Sequence, residues 1–196
     1  MRRLTITMIL ILGMATLLTA CGSSLLSRRT ANETFRGDSH VVILPFDNFS
    51  GREKAGVKIT DYFQSIMAGS GQYTVIGYGN TLDILRRLRV RSSSMITNTQ
   101  IDSLSQALGA NLIVTGTVLE FTEMDNNFLG KIPQVSFNTK VINCASHQTV
   151  WVGVSNGSGD ESETVFGIGA IRSADRLASS MVTNVVAKIN ALFRSH

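Results

Sequence analysis

The chain has 196 residues, of which 43% are hydrophobic and 16% charged, and its formal net charge is +4. This length is enough for one domain with a sizeable hydrophobic core. The first 20 residues contain Arg2 and Arg3 and no acidic residue, so the rest of the chain carries 16 basic and 14 acidic side chains. Such a small excess of positive charge argues against a nucleic-acid-binding protein.

The N-terminus has the pattern of a secretory signal. Two arginines precede an almost unbroken apolar run over residues 4–20, which ends in Leu18-Thr19-Ala20-Cys21-Gly22-Ser23. A leucine, two small residues and a cysteine resemble the bacterial lipobox, in which the cysteine receives diacylglycerol and palmitate and becomes the new N-terminus. The sequence therefore predicts signal peptide 1–20, cleavage between Ala20 and Cys21, and a lipid on Cys21.

A transmembrane helix is the competing interpretation of residues 4–20. The run is only just long enough to cross a hydrocarbon core of about 30 Å. It is followed at once by Gly22, Ser23 and Ser24, and no second apolar span follows it. We therefore favour the lipoprotein signal.

The segment after the lipidation site is polar. Residues 21–39 contain Arg28 and Arg29 but are rich in neither proline nor glycine, which predicts a flexible tether and not a stiff spacer. If Cys21 carries lipid, Cys144 is the one remaining thiol, and no internal disulfide is expected.

The folded domain is expected over residues 40–196, and its first half alternates strands with helices. A short apolar run at 41–46 predicts a strand buried on both faces. Apolar residues at helical spacing then predict a helix from near Glu53 to Gly71, and a short strand follows at 73–76. Two further helices are predicted, one capped by Asn80 or Thr81, and one ending at Gly109 that opens with a capping box of Thr99 and Asp102.

The second half predicts three strands and one helix. A long strand covers residues 111–121, a polar excursion covers 120–133, and strands at 134–142 and 149–155 complete an antiparallel meander. Ten apolar residues from Ala174 to Phe193 keep a 3.6-residue period and predict a long C-terminal helix. The predicted fold is a single α/β domain with a five-stranded mixed sheet in the order β-α-β-α-α-β-β-β-α.

Several motifs in this order are similar to those of a known superfamily. Residues 41–51 with Gly56 and Thr60-Asp61-Tyr62-Phe63, then Leu108-Gly109-Ala110-Asn111 leading into residues 112–118, and finally residues 141–151 carry the similarity. They resemble envelope lipoproteins related to the curli secretion protein CsgG and to the TolB N-terminal domain, including LpoB-like and PelC-like proteins. Asn143 stands where this family usually has Asp, and Ser146-His147 stand for its Thr-Gly turn.

The resemblance implies an outer-membrane lipoprotein that faces the periplasm and acts without catalysis in envelope assembly or export. Its expected partners are the membrane, through the N-terminal lipid, envelope proteins or glycan, and other copies of the chain. An alternative within the same family is a regulator that activates a peptidoglycan synthase. A long stiff linker would favour that role, and residues 22–39 are too short for it.

Two kinds of surface residue are candidates for partner binding. Four arginines crowd the end of a predicted helix and suit an anionic partner, although a solvated helix end is the simpler explanation. Apolar residues at the tip of the polar excursion and in residues 165–171 suit a protein or membrane contact, or a lead-in to the last helix. The candidates are Arg86, Arg87, Arg89, Arg91, Phe128, Leu129, Phe166 and Ile168.

Nothing in the sequence predicts an enzyme. His40, His147 and His196 are far apart and form no ligand spacing, so neither a metal site nor a cofactor is expected. Gly167-Ile168-Gly169 resembles part of a phosphate loop, but it lacks the third glycine and does not follow the first strand. A hydrolase therefore has no residues to support it.

Overall fold

The computed structural model describes residues 24–30, 35, 39–126, 130–160 and 171–193. Helices and strands alternate at first, and three long strands and a last helix follow. In chain order the elements are β1 (Ser24–Arg29), β2 (His40–Ile43), β3 (Asp47–Asn48), α1 (Ala55–Ser70), β4 (Thr74–Val75), α2 (Tyr78–Arg87), a 3-10 turn (Ser93–Met95), α3 (Asn98–Leu108), β5 (Leu112–Asn126), β6 (Gly130–Asn143), β7 (Thr149–Ser158) and α4 (Ala174–Asn190).

The strands form one mixed sheet in the order β1-β7-β6-β5-β2-β4, with β3 also paired to β5. Strands β2 and β4, and strands β2 and β5, run parallel, whereas β5, β6, β7 and β1 run antiparallel to their neighbours. This confirms the α/β fold, the meander and the long last helix. The predicted count of five strands is wrong, since the described sheet has seven.

One added strand lies in the segment predicted to be a flexible tether. Strand β1 pairs with β7 along its whole length, from Ser24 opposite Asn156 to Arg29 opposite Trp151. Its sequence has a single Leu25-Leu26 pair among polar residues, so the pattern gave no strand signal. Pairing with a neighbour distant in the chain makes it a strand.

The second added strand, β3, is only two residues long. It continues the direction of β2 and pairs with Thr117 and Val118 of β5. Residues 47–51 have the composition of a loop, since they are mostly polar and end in glycine. Main-chain hydrogen bonds form here regardless of that composition, for instance from the Phe49 amide to the Val118 carbonyl at 2.8 Å.

Helices cover the two faces of the sheet unequally. Helices α1 and α4 bury one face together with Val114, Phe137 and Trp151, and this cluster is the main core. Helices α2 and α3 cover the other face only beside β2 and the start of β5, around Val42 and Ile113. The remaining part of that second face has no described helix over it.

The motif residues that carried the family resemblance meet at one packing junction around Phe46. The Phe46 ring stacks on Phe63 with centroids 4.9 Å apart. A Cβ added at Gly116 would lie 2.4 Å from that ring, and one added at Gly56 would lie 2.4 Å from the Phe46 carbonyl oxygen. The Phe46 amide also donates to Thr60 Oγ1 at 2.9 Å. These motifs therefore specify how α1 packs on the sheet.

The starts of two helices differ from the prediction. Helix α3 begins two residues early, with Thr97 as its N-cap and Gln100 completing the capping box, in place of Thr99 and Asp102. Helix α2 begins at Tyr78 with Gly77 at the N-cap position and no side-chain cap, so neither Asn80 nor Thr81 caps it. Two overlapping Thr-x-x-polar patterns in residues 97–102 explain the first error.

The polar excursion predicted over residues 120–133 is mostly regular hairpin. Strands β5 and β6 stay paired as far as Asn126 opposite Gly130, with a bulge between Val118 and Glu120. Many polar side chains occur here because much of this part of the hairpin is exposed, although Phe121 and Pro133 are buried. No helix within the described ranges is long and apolar enough to span a membrane.

Candidate interaction surfaces

The part of the sheet that no described helix covers forms what we call the open face. Directly opposite residues of an antiparallel pair share a face, so the register of β1, β7, β6 and β5 arranges this surface in cross-strand rows. The rows are Leu26, Val154 and Asn138; Arg28, Val152 and Lys140; and Ser24, Asn156, Ser136 and Glu120, whereas Thr117 and Thr115, which continue the first two rows on β5, are buried.

The open face is polar and internally hydrogen-bonded over β6 and β7 but apolar toward β1. Ser136 Oγ donates to Asn156 Oδ1 at 2.6 Å, and the Thr117 amide donates to Asn138 Oδ1 at 3.0 Å. Toward the edge, Leu26 is 74% exposed and its neighbour Val154 is 41% exposed. An apolar pair in such a position favours contact with another protein surface.

Strand β1 is also the edge of the sheet. Within the described ranges it pairs with β7 on one side and with no strand on the other. An exposed edge presents main-chain donors and acceptors to which a further strand can add. The edge and the adjoining apolar pair Leu26 and Val154 therefore form one continuous surface suited to a protein partner.

The four candidate arginines lie at the C-terminal end of α2 and in the residues after it, and all four are exposed. Arg86 makes an ion pair with Asp83 at 3.3 Å, and both side chains are well exposed, so this pair contributes little to stability. Arg87 and Asp83 line a shallow cleft of about 300 Å³ against Ala107 and Leu108 of α3. The cluster is brought together as predicted, but Asp83 partly offsets its charge.

Arg89 has a strained backbone. Its φ is +52°, and the Arg89 and Val90 amides donate to the Arg86 and Leu85 carbonyls at 3.1 and 3.0 Å. This is the Schellman arrangement that ends a helix, in which glycine usually occupies the left-handed position. A side chain there costs about 1–2 kcal/mol. An arginine at a position suited to glycine is consistent with a role for its guanidinium.

Asp47 fixes the chain that follows the arginine cluster. Its carboxylate accepts from Ser92 Oγ at 2.6 Å, from the Ser93 amide at 3.1 Å, and from the Ser94 amide and Oγ at 3.0 and 2.5 Å. Burial raises the pKa of this carboxyl, but the hydrogen bonds from Ser92, Ser94 and Ser93 together outweigh it and the pKa lies below its usual value. The ionised carboxylate thus ties β3 to the 3-10 turn.

The remaining chemically active side chains have structural surroundings. Cys144 is buried, and its burial raises the pKa of the thiol to about 11, so the reactive thiolate is scarce near neutral pH. His147 Nε2 lies 2.6 Å from Asp102 Oδ1. His147 is in the turn at the opposite end of the sheet from Glu120. In the described part of the chain, no group of three or more His, Cys, Asp or Glu residues is placed to hold a metal ion.

Six of the residues predicted to act at the membrane or at a partner lie outside the described ranges. They are Ala20, Cys21, Phe128, Leu129, Phe166 and Ile168. The lipid attachment and the apolar contacts assigned to them therefore stay predictions.

Comparison with solved structures shows which fold this is. The fold is similar to that of PelC. The PelC dodecamer from Paraburkholderia phytofirmans matches with a TM-score of 0.56 and 15% sequence identity over 88% of this chain and 100% of that one. The lipoprotein GNA1162 from Neisseria meningitidis matches with a TM-score of 0.52 and 15% identity over 78% of this chain and 99% of that one.

A third similar structure is the hypothetical protein CT253 from Chlamydia trachomatis, with a TM-score of 0.56 and 12% identity over 81% of this chain and 99% of that one. No protein-family model matches the sequence, and the search of curated proteins found no match. At these identities the likeness establishes the fold alone.

Sequence reasoning missed the β1 edge and the open face. The strand carries only two apolar residues, so no periodicity marks it. A weak signal was present in β7, where Val152 and Val154 are apolar on a face that no predicted helix was left to cover. These two apolar side chains could have indicated that a further strand or a partner lies against β7.

Proposed function

We propose that this chain is an outer-membrane lipoprotein of the CsgG and TolB-like superfamily, anchored by lipid on Cys21 and facing the periplasm. It acts without catalysis, as a scaffold in envelope assembly or export, by binding other copies of itself and envelope partners. The lipobox-like sequence at residues 18–21 supports the anchor.

The observation that carries the self-association is the open edge of β1 beside the exposed Leu26. A second copy can pair its own edge with this one or cover the apolar pair Leu26 and Val154. The similar PelC structure is a dodecamer, which supports assembly as a property of this fold. A lipid anchor adds to the effect because it concentrates copies on one membrane surface.

Light scattering after size-exclusion chromatography tests this assembly on the chain lacking residues 1–21. We expect a mass several times that of one chain, which Leu26→Arg shifts toward the monomer. Met95→Arg is the matched control, because Met95 is 79% exposed but lies in the 3-10 turn, away from β1. A monomer at high protein concentration contradicts self-association.

The arginine cluster at residues 86–91 is proposed as a second contact, for an anionic partner such as glycan or an acidic protein surface. The strained backbone of Arg89 supports this role. Purification of bound partners from native membranes tests it, with all four arginines replaced by glutamine. If the same partners are recovered in the same amounts, the cluster is an ordinary solvated helix end.

A further inference from the structure

The start of β1 lies at one particular end of the sheet. Ser24 is opposite Asn156, which is opposite Ser136, which is opposite Glu120. Beyond this level β5 and β6 continue to pair as far as Asn126 and Gly130. The chain therefore enters the domain at the same end from which the β5–β6 hairpin projects, and we call residues 123–126 with 130–133 the arm.

The distance between the lipid-bearing residue and the domain is short. Because Ser24 is already in β1, only residues 22 and 23 separate it from Cys21. Three residue steps reach at most about 11 Å when fully extended. The 18-residue tether expected from the sequence would have allowed about 60 Å. Residues 22 and 23, which we call the leash, are thus the whole linker between Cys21 and β1, in place of the expected 18-residue tether.

The arm extends farther than this leash. Six residue steps lead from Ser136, at the level of Ser24, to Gly130 at the end of the arm. At the rise of a β-strand they span about 20 Å. With the strands upright on the membrane, the arm therefore reaches past the level of Cys21.

The two faces of the arm differ in character. Met124 is opposite Ile132 on the side that continues the open face, and Met124 is 49% exposed. The other side carries Glu123, Asp125 and Lys131, of which Glu123 and Lys131 form an ion pair at 3.5 Å. Glu123 Oε1 also accepts from the Ala174 amide at 3.1 Å, so the arm is fixed to the start of α4. An apolar face backed by charges suits the interface between lipid headgroups and acyl chains.

We propose that the arm is a membrane-contacting element, pressed by the short leash onto the surface of the leaflet that holds the lipid on Cys21. This inference rests on the proposed lipidation. The occupant of the apolar side of the arm is the lipid surface itself, and the turn at residues 144–148, at the opposite end of the sheet, points away from the membrane. The domain therefore has one fixed end toward the bilayer and does not move freely on a tether.

Fluorescence quenching tests this orientation on the full-length lipidated protein in vesicles of phosphatidylethanolamine and phosphatidylglycerol. An environment-sensitive label is attached to Met124→Cys, or to the control Ala145→Cys in the distant turn, each with Cys144→Ser. Lipids with nitroxides near the headgroup are the quenchers. We expect the label at residue 124 to lose about half or more of its emission, since interfacial segments are buried by about 5–10 Å. The label at residue 145 should be unaffected.

A lengthened leash provides the second part of the experiment. Twelve Gly and Ser residues inserted between Ser23 and Ser24 should reduce quenching at residue 124 to the level of the control while the protein stays on the vesicles. Equal quenching at both labels, no quenching at residue 124, or quenching unchanged by the insertion overturns the proposal. Vesicle flotation and the intact mass of the protein distinguish failure of this proposal from loss of the anchor. A chain that carries no lipid and does not float with the vesicles contradicts the proposed function itself.

Discussion

At the scale of single residues, the Asp47 carboxylate makes part of the stability of this protein depend on pH. Asp47 accepts four hydrogen bonds from the serine segment 92–94. Its pKa is lower in the folded protein than in the unfolded chain. The stabilisation is therefore present above the unfolded-state pKa of about 4 and is lost as the pH falls through the folded-state value.

We predict that Asp47→Asn lowers the free energy of unfolding by about 1–3 kcal/mol at neutral pH, the usual effect of losing hydrogen bonds to a charged group. The difference from the wild type should shrink as the pH falls below about 4. Urea unfolding at several pH values measures it. Asp61→Asn, at an exposed position of α1, is the control. A pH-independent difference would show that the charge of Asp47 does not act as described.

A second residue-scale prediction concerns Arg89. Arg89→Gly should raise the free energy of unfolding by about 0.5–1 kcal/mol, because removing the left-handed strain outweighs the extra freedom of glycine in the unfolded chain. Thermal or urea unfolding measures the change. Arg91→Gly is the matched control, since Arg91 has no positive φ and should gain nothing. A loss of stability in Arg89→Gly would mean that the arginine side chain itself stabilises the fold.

At the scale of secondary-structure elements, two variants of helix α3 distinguish between its two possible N-cap residues. Thr97→Ala should lower the free energy of unfolding by about 1 kcal/mol, because the Thr97 side chain caps the helix with Gln100. Thr99→Ala should change it by less than about 0.5 kcal/mol, since Thr99 is exposed in the first turn. The two variants in one urea series decide between the cap in the structure and the cap expected from the sequence. A larger loss in Thr99→Ala would favour the latter.

The elements with strong hydrophobic patterns were predictable and those defined by pairing alone were not. Val41 to Leu44 and the apolar stripe of α4 are buried as expected. Strand β1 and the arm are polar, and they are strands because main-chain groups pair across the sheet. Periodicity reports burial of side chains and is silent about exposed hydrogen-bonded edges.

The same distinction applies to the candidate surfaces. The arginines at residues 86–91 were found because they are adjacent in sequence, whereas Leu26 and Val154 meet only through the register of β1 and β7. The motif residues Phe46, Gly56 and Gly116 carried the resemblance because the fold needs their close packing. They therefore identify an architecture and do not mark a binding site.

At the scale of the whole molecule, the sheet connects three features that the sequence keeps apart. The edge of β1, the open face and the arm follow from one set of strand registers. With a lipid on Cys21, the membrane is at one end of this sheet and the edge for self-association runs away from it. Copies that assemble through β1 would then share one orientation on the bilayer.

The attachment at Cys21 is the claim on which this account depends most. We predict that Cys21→Ser yields an intact, folded domain that is released from membranes, whereas the wild type stays bound after a high-salt wash. Cell fractionation with detection of the protein measures this, and protease resistance of the released variant shows that it is folded. If Cys21→Ser remains with the membranes after the wash, the lipid is not what holds the protein there, and the lipid-anchor account is contradicted.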